Sequence, residues 1–501
     1  MIESELRPSL PWREIGCGLG LALVGLAAAL MVSPQQSFFY DTSIMADVTR
    51  SILTDGTFRV SGDAWGINTP YASYGLGMSL LFAPPYWIAQ HLHRDPGSWV
   101  MLTTPVVFGL TLPAVFWLTI GCGATRRQGA ITTLLVGFGT LLFAYAGTGL
   151  SEPAVGLGIA VGLAALTTAT RRPVLGGAVA GMAAGVTVLM RTDSALLVAP
   201  ILAAGVWLLA GRRAWALVAF AGGLLPWALA AAAYNVVRYG APWRLGYAVG
   251  GTNLFNHPIP GGIYGLTLSP GAGLLWYVPL VAVALLGMPR AARRMPALTA
   301  VTLALLLVRF PVYAALFSWN GGGSWGPRYL TPAMPALALG ILEVVRAFPA
   351  LSIVSRLAVS VVAVLSVLIQ FTGATVNPGS TNLAVASSRL VPPPSREAWL
   401  AMTRPEIQER QDGILFDWGL FPIPNEAANL VHGRNLMPRT LPHQGPRAGA
   451  FEPAPRARMI AVLGGFLVLG LALAWLTSRG GSRTPPSVDE REFLLRGSSD
   501  P

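Results

Sequence analysis

Along most of this chain apolar residues run in blocks of roughly twenty, the length a helix needs to cross a bilayer. Short links rich in glycine, proline or arginine part the blocks. The pattern predicts an all-α polytopic membrane protein with about twelve transmembrane helices. They lie near 15–33, 98–121, 129–147, 153–170, 174–190, 194–210, 214–234, 271–288, 297–317, 331–348, 352–373 and 458–477. The first block is too long for the apolar region of a secretory signal, so it reads as a retained span. Two stretches break the rhythm. In "FFYDTSIMADVTRSILTDGTF", residues 38–58, Ile44, Val48, Ile52 and Leu53 recur at helical spacing, while Asp47, Arg50 and Thr54 share the other face. That is an amphipathic helix lying at the membrane interface and ending at Asp55-Gly56. The segment 73–92 is apolar but contains Pro84-Pro85, which suits a re-entrant or interfacial helix better than a crossing one.

Charge settles the orientation. Only 11% of the 501 residues are charged, against about 25% in soluble domains. The net charge of +12 resides largely in arginines of short links, where it sets topology rather than binding nucleic acid. Arg126-Arg127, Arg171-Arg172, Arg212-Arg213, the group Arg290, Arg293 and Arg294, and Arg346 with Arg356 follow every second span. With 73–92 not crossing, all five groups share one side with both termini. The positive-inside rule makes that side the cytoplasm of a multi-pass protein of the cell (inner) membrane. The external segments are then 34–97, 148–152, 191–193, 235–270, 318–330 and 374–457. They hold the unusual residues, so function is expected at the outer face. No internal repeat of the kind that builds transporters is visible. The long link 374–457 has too few apolar residues for a sizeable soluble domain. Within it "EAWLAMTRPEIQERQ" reads as a helix, "ILFDWGLFPI" as a segment packed on the site, and 437–456 as an extended connection. The chain thus divides into a membrane module, 1–373, the external region 374–457, a last helix, 458–477, and a disordered cytoplasmic tail, 478–501.

Candidate chemistry is sparse. Cys17 and Cys122 give neither a disulfide framework nor a CxxC site. His91, His93, His257, His432 and His443 show no metal-ligand spacing, so no metal site is expected. Asp47 and Arg50 are an i,i+3 ion pair with a structural role, and Asp41 fits the N-cap of the interfacial helix. Arg191, Arg238, Arg244 and Arg328 lie outside, where the positive-inside rule does not explain them; headgroup contact is the plain alternative. Arg309 falls within a span and should face a cavity or a carboxylate, to bind an anion or brace the bundle. In "WNGGGSWGPRY" glycines would let backbone approach a ligand closely. Trp319 and Trp325 beside them would stack on a sugar ring or join an interfacial aromatic belt.

The first external segment, with an acidic residue after aromatic ones, an amphipathic helix and then "YASYGLGMSLLFAPPYW", resembles the GT-C superfamily of polytopic glycosyltransferases. Its members include bacterial protein mannosyltransferases, aminoarabinose transferases and arabinofuranosyltransferases. Tyr71, Gly75 and Pro84 match the family's Y…G…P segment. "GTGLSEPAVGLGIA", with Ser151-Glu152, "GMAAGVTVLMRTDSALLVAP", with Arg191, and then "NVVRYGAPWRLGY", "LTLSPGAGLLWYVPL" and "WNGGGSWGPRYLTPAMP" follow in family order. The likeness covers roughly 15–375. It implies a GT-C-like fold and inverting transfer of a hexosyl or pentosyl group, outside the cytoplasm, from a polyprenyl-phosphate sugar to a hydroxyl of a glycan, lipid or protein. It also implies Asp41 as the base. Such chemistry needs a proton acceptor and cations for the leaving phosphate. Arg328, Arg191, Arg309 and Arg238, with Glu152, Trp319, Trp325 and Tyr329, are the candidates for binding donor phosphate and substrate. Many relatives carry two adjacent carboxylates where this chain has Asp41-Thr42. No cofactor is fixed: a divalent cation, Mg2+ or Mn2+, would need a second carboxylate from Asp63 or Glu152. Two other readings stay open: a lipid-linked-sugar flippase, which would want polar residues along a path to both faces, and a non-catalytic assembly partner of the same fold.

Overall fold

In an apolar surrounding every backbone N–H and C=O must find its partner within the protein, so long apolar blocks become helices. The computed structural model describes residues 12–34, 39–61, 70–245, 255–322, 324–376, 404–432, 436–437 and short pieces of 464–472. Among them eight helices are long and apolar enough to cross a membrane. These match eight of the expected spans, and the chain is a multi-pass membrane protein of all-α architecture. Three further expected spans are broken. The block 129–147 becomes helices Arg126–Phe138 and Leu141–Ala144, 194–210 becomes Ser194–Leu197 and Ala199–Leu209, and 271–288 becomes Leu274–Tyr277 and Leu280–Arg294. The breaks fall at Gly139-Thr140, at Val198 before Pro200, and at Val278-Pro279, where glycine or a proline without N–H interrupts the hydrogen-bond ladder. Most of 458–477, the tail 478–501 and Asp63 lie outside the described residues.

The first crossing, α1 (Trp12–Val32), leads to the amphipathic α2 (Tyr40–Asp55). This helix ends as its sequence predicts: Gly56 is left-handed, with φ 63°, and its N–H caps the Ser51 carbonyl. Ile44 and Val48 pack on Val60 and Ala72. The helix α3 (Leu76–His91) holds Pro84 and Pro85 in its interior and has only 16 residues. It is stitched to α2 by Thr49 Oγ1 donating to the Ser79 carbonyl (3.0 Å) and Ser79 Oγ to the Met45 carbonyl (2.9 Å). There follow α4 (Thr103–Gly121), α5 (Glu152–Ala169), α6 (Pro173–Met190) and α7 (Ala214–Tyr239). Beyond them lie α8 (Leu280–Arg294), α9 (Ala338–Ala347) and α10 (Ile353–Thr375). The long link contributes α11 (Arg404–Leu415) and α12 (Pro422–Val431).

Small residues set the closest crossings. A Cβ on Gly181 of α6 would lie 1.9 Å from the Phe220 carbonyl oxygen of α7, and one on Gly223 would lie 2.2 Å from that of Ala178. Close backbone approach of this kind is how helices adhere in lipid, where apolar burial gives little preference for protein over acyl chains. The crossing matters because α6 ends at Met190, directly before Arg191. At the opposite end of the bundle Arg346 pairs with Glu343 and donates to the Cys122 carbonyl (2.8 Å), and Arg294 approaches Glu343 at 3.6 Å. Gly181→Val should therefore force α6 from α7 and lower stability by about 1–3 kcal/mol, read as a fall in the thermal midpoint of the purified protein.

Candidate active site

Asp41 is the second residue of α2, not its cap. The N-cap position is Phe39, which makes no side-chain capping bond. The N-cap reading of Asp41 is thereby corrected. Its carboxylate accepts from the Tyr74 hydroxyl (2.8 Å) and from Arg328 Nη2. Burial by itself pushes the Asp41 carboxyl up. The adjoining Arg328 guanidinium, the hydrogen bonds from Arg328 and Tyr74, and the field of Arg191 outweigh it and hold the carboxyl below the usual carboxylate range.

From Arg328 the contacts continue without interruption. Its Nε donates to Glu152 Oε1 (2.8 Å) and its Nη1 to the Gly321 carbonyl (3.2 Å). Gly321 is left-handed, φ 74°, which turns the "WNGGGSWGPRY" loop back onto the arginine. Glu152 opens α5 and is fully buried, and the same Oε1 accepts from Arg191 Nη1 (2.9 Å). A carboxylate at a helix N-terminus is also favoured by the helix dipole. Arg191 reaches on to Asp193 Oδ2 through Nη2 (3.1 Å) and Nε (3.3 Å), and that oxygen also accepts from the Tyr313 hydroxyl. Arg309, 1% exposed, places Nη1 3.5 Å from the Tyr313 hydroxyl. Its Nε and Nη2 have no hydrogen-bond partner among the described residues. Tyr329 stacks on Tyr313, rings 4.6 Å apart and 10° from parallel, with Arg191 and Arg328 at 5.5 and 5.7 Å from its centre. Three guanidiniums (Arg191, Arg309, Arg328) stand against three carboxylates (Asp41, Glu152, Asp193), so the cluster is formally neutral.

Of the candidates read from the sequence, Asp41, Glu152, Arg191, Arg309, Arg328 and Tyr329 come together. Arg238 does not join them. It donates to the Ala72 and Tyr74 carbonyls and to Asn235, beneath the Tyr234 ring, and so clamps the segment that carries Tyr74. Arg244 is exposed and donates to the Tyr239 carbonyl (3.2 Å). Neither the sugar-stacking nor the interfacial-belt reading fits Trp319 and Trp325, which are 0% and 2% exposed. Trp319 is covered by Gly265, His257 and Phe416, and donates to Asp412 (2.9 Å); Trp325 packs on Tyr277 and Gly373. The segment from 414 onward packs beside them, with Phe416 on Tyr264 and Trp319 and Trp418 on Trp276. Tyr74, Asp193 and Tyr313 escaped the sequence reading. Only their spacing hinted at them: Asp193 lies two residues after Arg191, and Tyr313 one helical turn after Arg309. Among the described residues no three His, Cys, Asp or Glu side chains converge as a metal site. Arg328 stands between Asp41 and Glu152, one of the two pairs a divalent cation could bridge; the other, Asp41 with Asp63, involves a residue outside those described.

An apolar groove of about 600 Å3 is lined by Leu81 and Pro84 of α3, Leu110 of α4, Ala154 and Leu157 of α5, and Met182 and Met190 of α6. Met190 joins groove to cluster, since Arg191 follows it. The chain is similar in structure to ArnT from Cupriavidus metallidurans. Against ArnT in the apo state the identity is 14% and the TM-score 0.46; against ArnT bound to undecaprenyl phosphate they are 16% and 0.45. Both cover 92% of this chain and 76% of the other. The chain is also similar to the Archaeoglobus fulgidus oligosaccharyltransferase in the apo form, with 11% identity and a TM-score of 0.47 over 77% of this chain, but it spans only 59% of that protein. No protein-family model and no curated protein matches the sequence.

Removing one member of a buried ion network leaves the others uncompensated, typically at a cost of about 3–5 kcal/mol. Glu152→Gln should destabilise the protein on that scale, and more than Asp47→Asn, whose carboxylate pairs with a half-exposed Arg50. Thermal unfolding of the two variants checks the order. Asp41 adds a pH dependence of known sign. Its carboxyl is depressed, so its contribution is present above the ordinary carboxylate range and lost as pH falls through the folded value. Asp41→Asn should flatten that acid-side loss.

Proposed function

We propose that this protein is a membrane glycosyltransferase that moves a hexosyl or pentosyl group from a polyprenyl-phosphate donor to an acceptor hydroxyl, at the outer face of the cell membrane. The observation that carries this reading is the Asp41–Arg328–Glu152–Arg191 network, together with an apolar groove whose lining includes Met190, next to Arg191 in the chain, and Ala154, two residues after Glu152. A polyprenyl phosphate is an apolar chain ending in an anion, and it needs those two environments side by side. Arginine suits the anion because its planar fork meets phosphate oxygens in pairs. Isoprene units along Leu81, Leu110 and Met182 would bring the phosphate to Arg191 and Arg328.

In the reaction the acceptor oxygen attacks the anomeric carbon as the bond from that carbon to the phosphate oxygen breaks. Asp41 takes the hydroxyl proton. The electron pair of the broken bond stays with the polyprenyl phosphate, whose charge Arg328 and Arg191 meet. A single displacement inverts the anomeric centre. Tyr329, within 5.5 and 5.7 Å of the Arg191 and Arg328 guanidiniums and only partly buried, is an aromatic surface beside the arginines that would meet the phosphate. Both termini are cytoplasmic in this reading.

Three outcomes test it. Asp41→Asn should leave the protein folded and lower transfer by about 10² or more; near-normal transfer would remove Asp41 as the base. Arg328→Ala should weaken donor binding by about tenfold to a hundredfold. Cysteines placed at Arg94, Phe255 and Val431 should react with an impermeant reagent in intact cells while one at Arg127 is protected; the reverse pattern would invert the protein in the membrane.

A further inference from the structure

This inference rests on the reading that the cluster receives a lipid-linked phosphate. We propose that Asp41 occupies Arg328 only until the donor arrives, and that the phosphate takes over Arg328 Nη2 and releases Asp41 to act as the base. As found, Asp41 is poorly suited to accept a proton, because one oxygen faces a guanidinium and the other a phenol. Of Arg328's three contacts, two are fixed: Glu152 is fully buried and the Gly321 carbonyl is backbone. The Asp41 side chain is 24% exposed, against 0% for Glu152, so its contact is the one an incoming anion meets.

Charge balance points the same way. With three guanidiniums already matched by three carboxylates, a bound phosphate makes the cluster negative and raises the proton affinity of the carboxylate that has lost its cation, which is what a base needs. The groups facing Asp41 are Tyr74 from the segment before α3, Arg328 from the first residue of the 3-10 helix Arg328–Leu337 that leads into α9, and Arg191 from the end of α6, with Glu152 of α5 behind Arg328 and Tyr40 beside it on α2. Loss of the Arg328 contact removes the largest influence keeping its carboxyl low. The complex therefore binds protons more readily than the free protein, and binding strengthens as pH falls.

The test is binding of undecaprenyl phosphate to the full chain in lipid nanodiscs, as wild type, Asp41→Asn and Asp47→Asn. Asn keeps an oxygen for Tyr74 but offers Arg328 no charge. At about pH 8 Asp41→Asn should bind the lipid about tenfold more tightly than wild type, although its turnover falls, and Asp47→Asn should match wild type. The advantage should shrink towards about pH 5.5 as the displaced wild-type carboxyl takes up its proton. A polyprenyl phosphodiester, whose single charge does not titrate in this range, should show the same narrowing. Asp41→Ala serves as a second neutral variant should Asp41→Asn fail to fold. If the neutral variants bind as wild type does, or more weakly, Asp41 does not compete for Arg328 and the proposal fails while the donor reading stands. An advantage that does not change with pH also overturns the proton-coupled release. Absence of binding by every variant overturns the donor reading itself, and this proposal with it.

Discussion

A guanidinium buried at the mouth of an apolar helix bundle needs carboxylates or carbonyls around it, because an uncompensated buried charge costs about 3–5 kcal/mol, a large part of a protein's margin of stability. The site turns on one such carboxylate. A single oxygen of Glu152 accepts from Arg328 on one side and Arg191 on the other. It joins the glycine-rich loop to the end of α6 and anchors both to the first residue of α5. Asp41 and Asp193 extend the chain at either end. Glu152 holds both arginines in place whatever Asp41 does, so their charge is presented to a ligand in fixed positions, as catalysis by charge stabilisation requires.

The bundle serves this cluster through its crossings and its turns. The glycine contacts between α6 and α7 fix the end of α6, and with it Arg191. At the other end of α7, Arg238 grips the backbone at Ala72 and Tyr74, and so fixes the phenol that holds Asp41. Arg238 thus acts on the site through the chain rather than by touching a phosphate. At Gly149, φ 73°, a side chain would strike Thr42, whose hydroxyl donates to the Thr148 carbonyl and seats the start of α2.

Much of this was legible in the sequence. Apolar block length gave eight of the expected spans, and helical periodicity gave α2 with its Asp47–Arg50 pair and glycine stop. Block length did not reveal the broken helices, because a glycine or proline inside a run leaves its hydropathy high while ending its hydrogen-bond ladder. For the site, the rule that arginine outside needs a reason singled out Arg191 and Arg328, and the cost of charge within a span singled out Arg309. Tyr74 gave no signal in the sequence, and Asp193 and Tyr313 gave only their spacing to Arg191 and Arg309. A tyrosine or a loop aspartate is ordinary in sequence, and only the fold brings 74 to 41 and 313 to 193. The tryptophans misled for the opposite reason. Near a membrane edge they suggest an exposed face, yet Gly265 and Gly373 leave room for them inside.

The central claim is that the apolar groove and the arginine pair are two halves of one lipid-phosphate site. The direct measurement is a cryo-electron-microscopy map of the full chain in nanodiscs with undecaprenyl phosphate. The account predicts continuous lipid density along Leu81, Leu110 and Met182, ending in a phosphate within hydrogen-bond distance of Arg191 and Arg328. A phosphate bound instead at the opposite end, near Arg294 and Arg346, or a lipid in the groove whose headgroup points away from Arg191, would contradict it.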